Sequence, residues 1–315
     1  MKFFFIKKYY RDTENHYWLN EEPFNQHELT REKVVSEFIS LAFYRLMGIP
    51  TPKTYLGATK NNSAVLISKV MKNWNPLTST TENGQINALS SEYCDLANLE
   101  LASAVIADID VSGWNLDNLG LKHGKQLTKH DGGATVVDND RKNYYLQFFK
   151  NSPTANQFNE GVATLTDDLS LNETYLKIFK NENISRYHLH YYNLFKNVTR
   201  DQRLQALRFL FKITGDDIQK IVGMIPDEWH SPTKKLETIK YFMERINLFR
   251  NKFGCHFTHN ELYPTESVTY TKPFLKLLNQ KHIEKYNWEE KYTKDEAYQN
   301  PNDFSQSSAN RFLKK

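Results

Sequence analysis

Hydrophobic and polar positions change period several times along the chain, and each change marks an element. Lys2 to Tyr10 alternates apolar and lysine positions at the period of a β-strand, with Phe3, Phe5, Lys7 and Tyr9 on one face. Thr30 then caps a helix predicted to reach Met47. Its apolar stripe is Val34, Phe38, Leu41, Ala42 and Leu46, and Gly48, Pro50 and Pro52 stop it. Thr54 to Ala58 and Ala64 to Val70 read as two strands joined by Asn61-Asn62. A loop rich in Asn, Thr and Ser follows over 72–90. Leu99, Ala102, Val105 and Ile106 lie on one face of a second helix, which leads into a polar loop holding Asp108, Asp110, Asn115, Asp117 and Asn118. The chain next forms a hairpin. Leu119-Gly120-Leu121 is its first strand, His123-Gly124-Lys125 its turn, and the return segment reaches His130-Asp131-Gly132-Gly133 before an extended run to Val137.

Residues 138–170 are polar and irregular, and the rest reads as helical. Thr199 with Gln202 makes a capping box for Arg200 to Lys212; Thr214 or Gly215 opens Asp216 to Val222; Ser231 and Pro232 open a helix ending at Phe253-Gly254. Leu236, Ile239, Met243, Ile246, Phe249 and Phe253 keep a helical period in that last element and are read as core. After Cys255 the chain is amphipathic, then polar from about Lys291. No internal repeat is found.

Composition narrows the class. With 315 residues the chain can bury a large core, and 39% hydrophobic residues with a mean hydropathy of -0.67 describe a globular protein. No run approaches the ~20 apolar residues of a membrane span. The opening MKFFFIKKYY lacks the apolar core of about 7 to 15 residues that a secretory signal has. Cys94 and Cys255 give neither a disulfide framework nor a metal spacing. A net charge of +4 and a pI near 8.7 are too mildly basic to argue for nucleic acid.

The candidate chemistry sits in the acidic loop and hairpin. Phosphoryl transfer needs oxygen ligands on Mg²⁺ and a carboxylate beside the attacking hydroxyl, and two clusters of Asp and Asn at a hairpin's ends can supply both. An acidic surface turn, with Asn and Asp selected for turn geometry, accounts for the same residues. Lys7, sharing a face with aromatics, calls for an anionic partner if buried; Lys8 is its alternative, and a protective edge strand the bland explanation. Glu37 interrupts an apolar helix face and needs a cation. His188 and His190, two apart, do not face one ligand. The basic residues Arg186, Lys196, Arg200, Arg203, Arg208 and Lys212, with Lys234, Lys235, Lys240, Arg245 and Arg250, form either a solvated face or an anion site.

Asp110, Asn118-Leu119-Gly120 and Asp131-Gly132-Gly133 resemble the catalytic loop and Asp-Phe-Gly segment of the protein-kinase superfamily. The resemblance is nearer to the atypical branch of HipA-like kinases, phosphoinositide kinases and the kinase-like effectors secreted by Legionella. Phe4-Phe5-Ile6-Lys7 resembles that superfamily's lysine strand, and Glu37-x-x-Ser40-x-x-x-Tyr44-x-x-x-Gly48-Ile49-Pro50-x-Pro52 its glutamate helix and the following turn. The resemblance implies an α+β, two-lobed kinase-like fold with a reduced N-lobe over 1–72, a helical C-lobe with the catalytic hairpin over 73–255, and a C-terminal extension over 256–315. It implies an ATP-dependent phosphotransferase using Mg²⁺ or Mn²⁺. Asp110 would stand near the acceptor, Lys7 on the phosphates with Glu37 orienting it, Lys7, Lys8, Lys69 and Met71 around the nucleotide, and Asn118 and Asp131 on the metal. A secreted effector implies a protein substrate in the host cytosol or at a host membrane surface. The basic set Arg186, Arg200, Arg203, Arg208, Lys212, Lys235, Lys240 and Arg245 would then accept an activating polyanion such as inositol hexakisphosphate or a phosphoinositide. Two departures stand out. The family's spacing from Asp110 selects Asn115, its sequence context Asn118; and no G-x-G-x-x-G hairpin or Walker motif is present. A catalytically silent kinase-like binding module, or a small-molecule or lipid kinase, is the alternative.

Overall fold

The computed structural model describes residues 6–11, 16–21, 27–58, 64–69, 74–77, 95–108, 111, 118–123, 126–131, 164–172, 191–265 and 270–279. The protein is α+β. It divides into two compact units, one of Met1–Val34, Pro52–Lys72 and Lys281–Lys315, the other of Val35–Thr51 and Asn73–Gln280.

The first unit holds an antiparallel sheet in the order β1-β2-β4-β3, with β1 at Ile6–Arg11, β2 at His16–Glu21, β3 at Thr54–Ala58 and β4 at Ala64–Lys69. The lysine strand β1 is thus an edge, paired with β2 from Ile6↔Glu21 to Arg11↔His16. Strand β2 falls between the first strand and the Thr30 helix, where the sequence pattern predicts no element. His16, Asn20 and Glu21 dilute the alternation, whereas Tyr17, Trp18 and Leu19 carry enough β propensity to pair on both sides, with β4 on the far side through Tyr17↔Lys69 to Asn20↔Leu66.

Helix α1, His27–Leu46, crosses from the first unit into the second. It begins one turn before the expected cap at Thr30. From Val34 onward it is buried on every side rather than along one stripe: Val35, Phe38, Ile39, Phe43 and Leu46 are enclosed, and so are Ser36, Glu37, Ser40 and Arg45. Arg45 stays satisfied through Thr51, its Nε donating to the hydroxyl at 2.6 Å. The helix ends in a Schellman turn. Gly48, at φ +90, donates to Arg45 O at 3.0 Å and Ile49 donates to Tyr44 O at 2.9 Å.

The second unit is built on α2 (Asp95–Ile106), α3 (Arg200–Phe211), α4 (Gly215–Gly223) and α5 (Pro232–Phe253), with short helices α6 (His259–Leu262) and α7 (Lys272–Leu278), and a small sheet β5-β6-β7 at Trp74–Pro76, Leu119–Lys122 and Gln126–Lys129. The caps are those the sequence spells out. Thr199 N donates to Gln202 Oε1 at 2.8 Å, Thr214 N to Asp217 Oδ2 at 2.9 Å, and Ser231 accepts from Lys234 N ahead of Pro232. Helix α5 buries Thr238, Phe242, Arg245, Ile246, Phe249 and Phe253, with Phe43 of α1 against Phe242 at 4.9 Å between ring centroids. Leu236, expected in the core, is 67% exposed. It lies two residues before Thr238, about 200° round the helix from the line that packs. No helix of the described residues is long and apolar enough to cross a membrane.

Arg203 of α3 is the main cross-brace. Its Nε and Nη2 form a two-pronged pair with Glu100 of α2 at 2.8 and 2.9 Å. Its remaining N–H groups donate to Leu169 O, Val198 O and Phe195 O at 3.0, 2.7 and 2.9 Å, so the whole fork is bonded inside the protein. Burial pushes the Glu100 carboxyl up and the Arg203 charge pulls it back.

His230, before α5, is pushed down to about 4 from 6.5 by burial and by the charges of Lys234 and Lys235. The folded state therefore holds fewer protons here than the unfolded chain between those values, so stability rises with pH across that window and is lost as pH falls through it. Chemical denaturation of the wild type from pH 7 to pH 4 should show this loss. In His230→Gln the slope over the same window should be shallower.

Candidate functional site

Strands β6 and β7 pair from Leu119↔Lys129 to Lys122↔Gln126, and His130 N donates to Asn118 O at 2.8 Å, one step past the last strand pair. The hairpin's open end thereby fixes Asn118 and Asp131 as near neighbours on adjoining chain segments. Both are half-buried. On the far edge of β6, β5 pairs through Trp74↔Lys122 to Pro76↔Gly120, so β6 is the central strand of a three-stranded sheet with β7 at its edge, and the hairpin is not an isolated ribbon. Thr128 adds a hydroxyl bond to Gly120 O at 3.0 Å.

Helix α2 delivers the chain to this end through a strained turn. Asp108 N donates to Ser103 O at 2.8 Å and Ala107 N to Ala104 O at 3.4 Å, the same Schellman pattern as at Gly48, but the left-handed position is held by Ala107 at φ 50. Arg245 of α5 closes the helix end, donating from Nε to Val105 O and from Nη2 to Ala104 O at 2.8 Å. A guanidinium against the last carbonyls also opposes the negative end of the helix dipole.

The turn places Asp108 inside the protein. Its Oδ2 accepts from Tyr44 Oη of α1 at 2.6 Å and lies 3.2 Å from Lys129 Nζ of β7, with side-chain exposures of 0% for the lysine and 1% for the aspartate. Lys129 Nζ also donates to Val111 O at 2.9 Å, and its ammonium sits 5.8 Å from the centre of the Tyr44 ring. Its backbone N–H donates to Pro50 O at 3.0 Å. One lysine thus joins the turn after α1, the loop after α2 and the strand leading to Asp131.

The other sequence candidates are distributed as follows. Glu37 is buried in α1, at 9% exposure. Lys7 and Lys8 lie in β1 opposite Asn20 and Leu19, and Lys69 in β4 opposite Tyr17; only their backbones are described. Asp110, Asn115, Met71 and Arg186 lie outside the described residues. The basic set requires correction at two positions. Arg203 and Arg245 are 3% and 5% exposed with their guanidinium groups bonded inward, so they are internal braces and not anion ligands. Of the rest, Arg208 Nε bonds Glu261 at 2.8 Å, Lys235 Nζ bonds Asp227 at 2.6 Å, Lys240 faces Glu244 at 3.7 Å, Arg200 reaches His256 at 3.3 Å, and Lys212 is half-buried.

No individual role was read from the sequence for three residues of this site: Lys129, Asp108 of the acidic loop, and Tyr44 of the glutamate-helix motif. A signal was available for the lysine, since β7 alternates and Leu127 and Lys129 must share the inward face. Among the described residues no group of three or more His, Cys, Asp and Glu could hold a metal. Asn118 and Asp131 would offer an amide and a carboxylate oxygen, the donor chemistry that a hard cation such as Mg²⁺ takes.

Two stability predictions follow from this geometry. Ala107→Gly should raise the unfolding free energy by about 0.5 to 1 kcal/mol, because the left-handed backbone is disfavoured for alanine and open to glycine. Lys129→Met leaves the Asp108 carboxylate buried without its cation and should cost about 3 to 5 kcal/mol, while Asp108→Asn/Lys129→Met together should recover most of that. Urea unfolding of the wild type, the single variants and the pair measures both.

No family model matches the chain, and no curated protein does. Among solved structures the chain is similar to a Helicobacter pylori proinflammatory kinase, CtkA, at 15% identity, covering 80% of this chain and 92% of that one with a TM-score of 0.48.

Proposed function

We propose that the protein is an atypical kinase that transfers the γ-phosphoryl group of ATP to a hydroxyl of a protein substrate, as an effector of the secreted bacterial type. The reading is carried by one observation: at its open end the β6–β7 hairpin sets Asn118 opposite His130, the residue before Asp131, in the chain order in which the kinase-like motifs were recognised. In this reading Asn118 and Asp131 hold Mg²⁺, which when bound offsets the charge of the phosphates. Asp110 accepts the proton of the attacking hydroxyl as the new O–P bond forms and ADP leaves. Lys7 binds phosphate oxygens, and Glu37, a buried carboxylate of α1, orients it. Lys69 and Met71, at the end of β4 and just beyond, border the nucleotide. The activating polyanion is not part of the proposal, because two of its arginines are bonded inside the protein.

The test is radiolabelled ATP with autophosphorylation and a generic protein acceptor, alongside calorimetry of Mg²⁺–ATP. Asp131→Ala should abolish transfer while unfolding as cooperatively as the wild type. Asn118→Ala should lower kcat by about 100-fold, and Asn115→Ala should stay near the wild type. A wild type that binds no Mg²⁺–ATP overturns the reading in favour of a non-catalytic binding module, and full activity in Asp131→Ala overturns the assignment of the metal site.

A further inference from the structure

Lys129 is fully buried and takes no part in the chemistry proposed above, yet its side chain reaches the loop after α2 at two points. Nζ lies 3.2 Å from the Asp108 carboxylate and donates to the Val111 carbonyl at 2.9 Å. Between those two contacts the chain has only Ile109 and Asp110. On its other side, Lys129 is two residues from Asp131, and its own N–H is fixed on Pro50 O. A lysine used only to neutralise Asp108 would need the first contact alone. The bond to Val111 O instead pins the far end of the same short segment, and a backbone carbonyl there has no charge to balance.

We propose that Lys129 is a positioning residue for phosphoryl transfer. It clamps Asp108 and Val111, which flank Asp110 in the sequence, to the strand that carries Asp131. The role rests on the kinase reading. An ammonium suits it because its three donors can reach differently placed acceptors at once, here a carboxylate and a carbonyl, from a stem that needs no solvent. Tyr44 supports the clamp from α1 by donating to the same Asp108 oxygen, so the carboxylate cannot swing away from the lysine without losing that bond.

The comparison that isolates positioning from stability is Lys129→Met against Asp108→Asn/Lys129→Met. The double variant removes both charges and so regains stability, but it leaves Val111 O without its donor. A purely structural lysine predicts that activity returns with stability. A clamp predicts that it does not: kcat of the double variant should stay about 100-fold below the wild type, the loss expected of a misplacement near 1 Å, with the KM for ATP unchanged. Hydrogen exchange supplies a readout without turnover. In the double variant, amides of 108–112 should exchange faster while those of α2 keep their protection. Recovery of kcat to the wild-type level, or unchanged exchange at 108–112, overturns the clamp with the kinase reading intact. Absence of Mg²⁺–ATP binding and of transfer in the wild type overturns that reading, and the positioning role falls with it.

Discussion

A lysine ammonium removed from water is tolerated only where its charge is met and its donors are used, and Lys129 satisfies both conditions through Asp108 and Val111. The pair is weak evidence of net stability, since two charges leave water to form it and an apolar pair of the same shape could replace it. Its consequence is geometric. Asp108 has to stand at the end of α2, Lys129 at the end of β7 and Tyr44 on the buried part of α1, or one of the charges is stranded. The helix end, the hairpin and the glutamate helix therefore have one acceptable relative placement within the second unit.

Arginines extend the same logic around α2. Arg203 bonds Glu100 near its middle, and Arg245 bonds Ala104 O and Val105 O at its end. A guanidinium can bond several carbonyls in one plane, so each of these residues ties distant segments without needing them to be regular. Loop 164–172 and residues 191–198 meet α2 in this way, through Leu169 O, Phe195 O and Val198 O. Charged side chains that look like a surface feature in the sequence are thus interior scaffolding, and the helix they hold is the one that presents Asp108.

How far the fold was legible depended on whether the signal was local. Gly48, the Thr199–Gln202 box, Thr214 or Gly215, Ser231-Pro232 and the hairpin turn near His123 act within a few residues, and each element boundary lies at or next to its signal. That Asn118 and Asp131 lie on adjoining segments was legible for the same reason, because a short hairpin brings its two ends together whatever else the chain does. Strand β2 was not, because its pairing with β4 is what makes a sequence as polar as His16-Tyr-Trp-Leu-Asn-Glu21 extended. Nor was the fate of Arg203 or Arg245. The partner of one is 103 residues away and those of the other are about 140 away, and no periodicity distinguishes a basic residue facing Glu100 from one facing water.

Ala107 shows what this arrangement requires of the backbone. At the end of α1 the left-handed residue is Gly48, which adopts φ +90 without a steric penalty; at the end of α2 the same turn is made by an alanine at φ 50, disfavoured by roughly 1 to 2 kcal/mol. The turn forms despite that penalty because both neighbours are held. Arg245 fixes the carbonyls before it, and Lys129 with Tyr44 fixes the carboxylate after it. Strain persists in a folded chain only where the surroundings over-determine the residue. At Ala107 those surroundings are the same ion pair and tyrosine that hold Asp108, so one set of contacts fixes both the end of the helix and the first buried carboxylate after it.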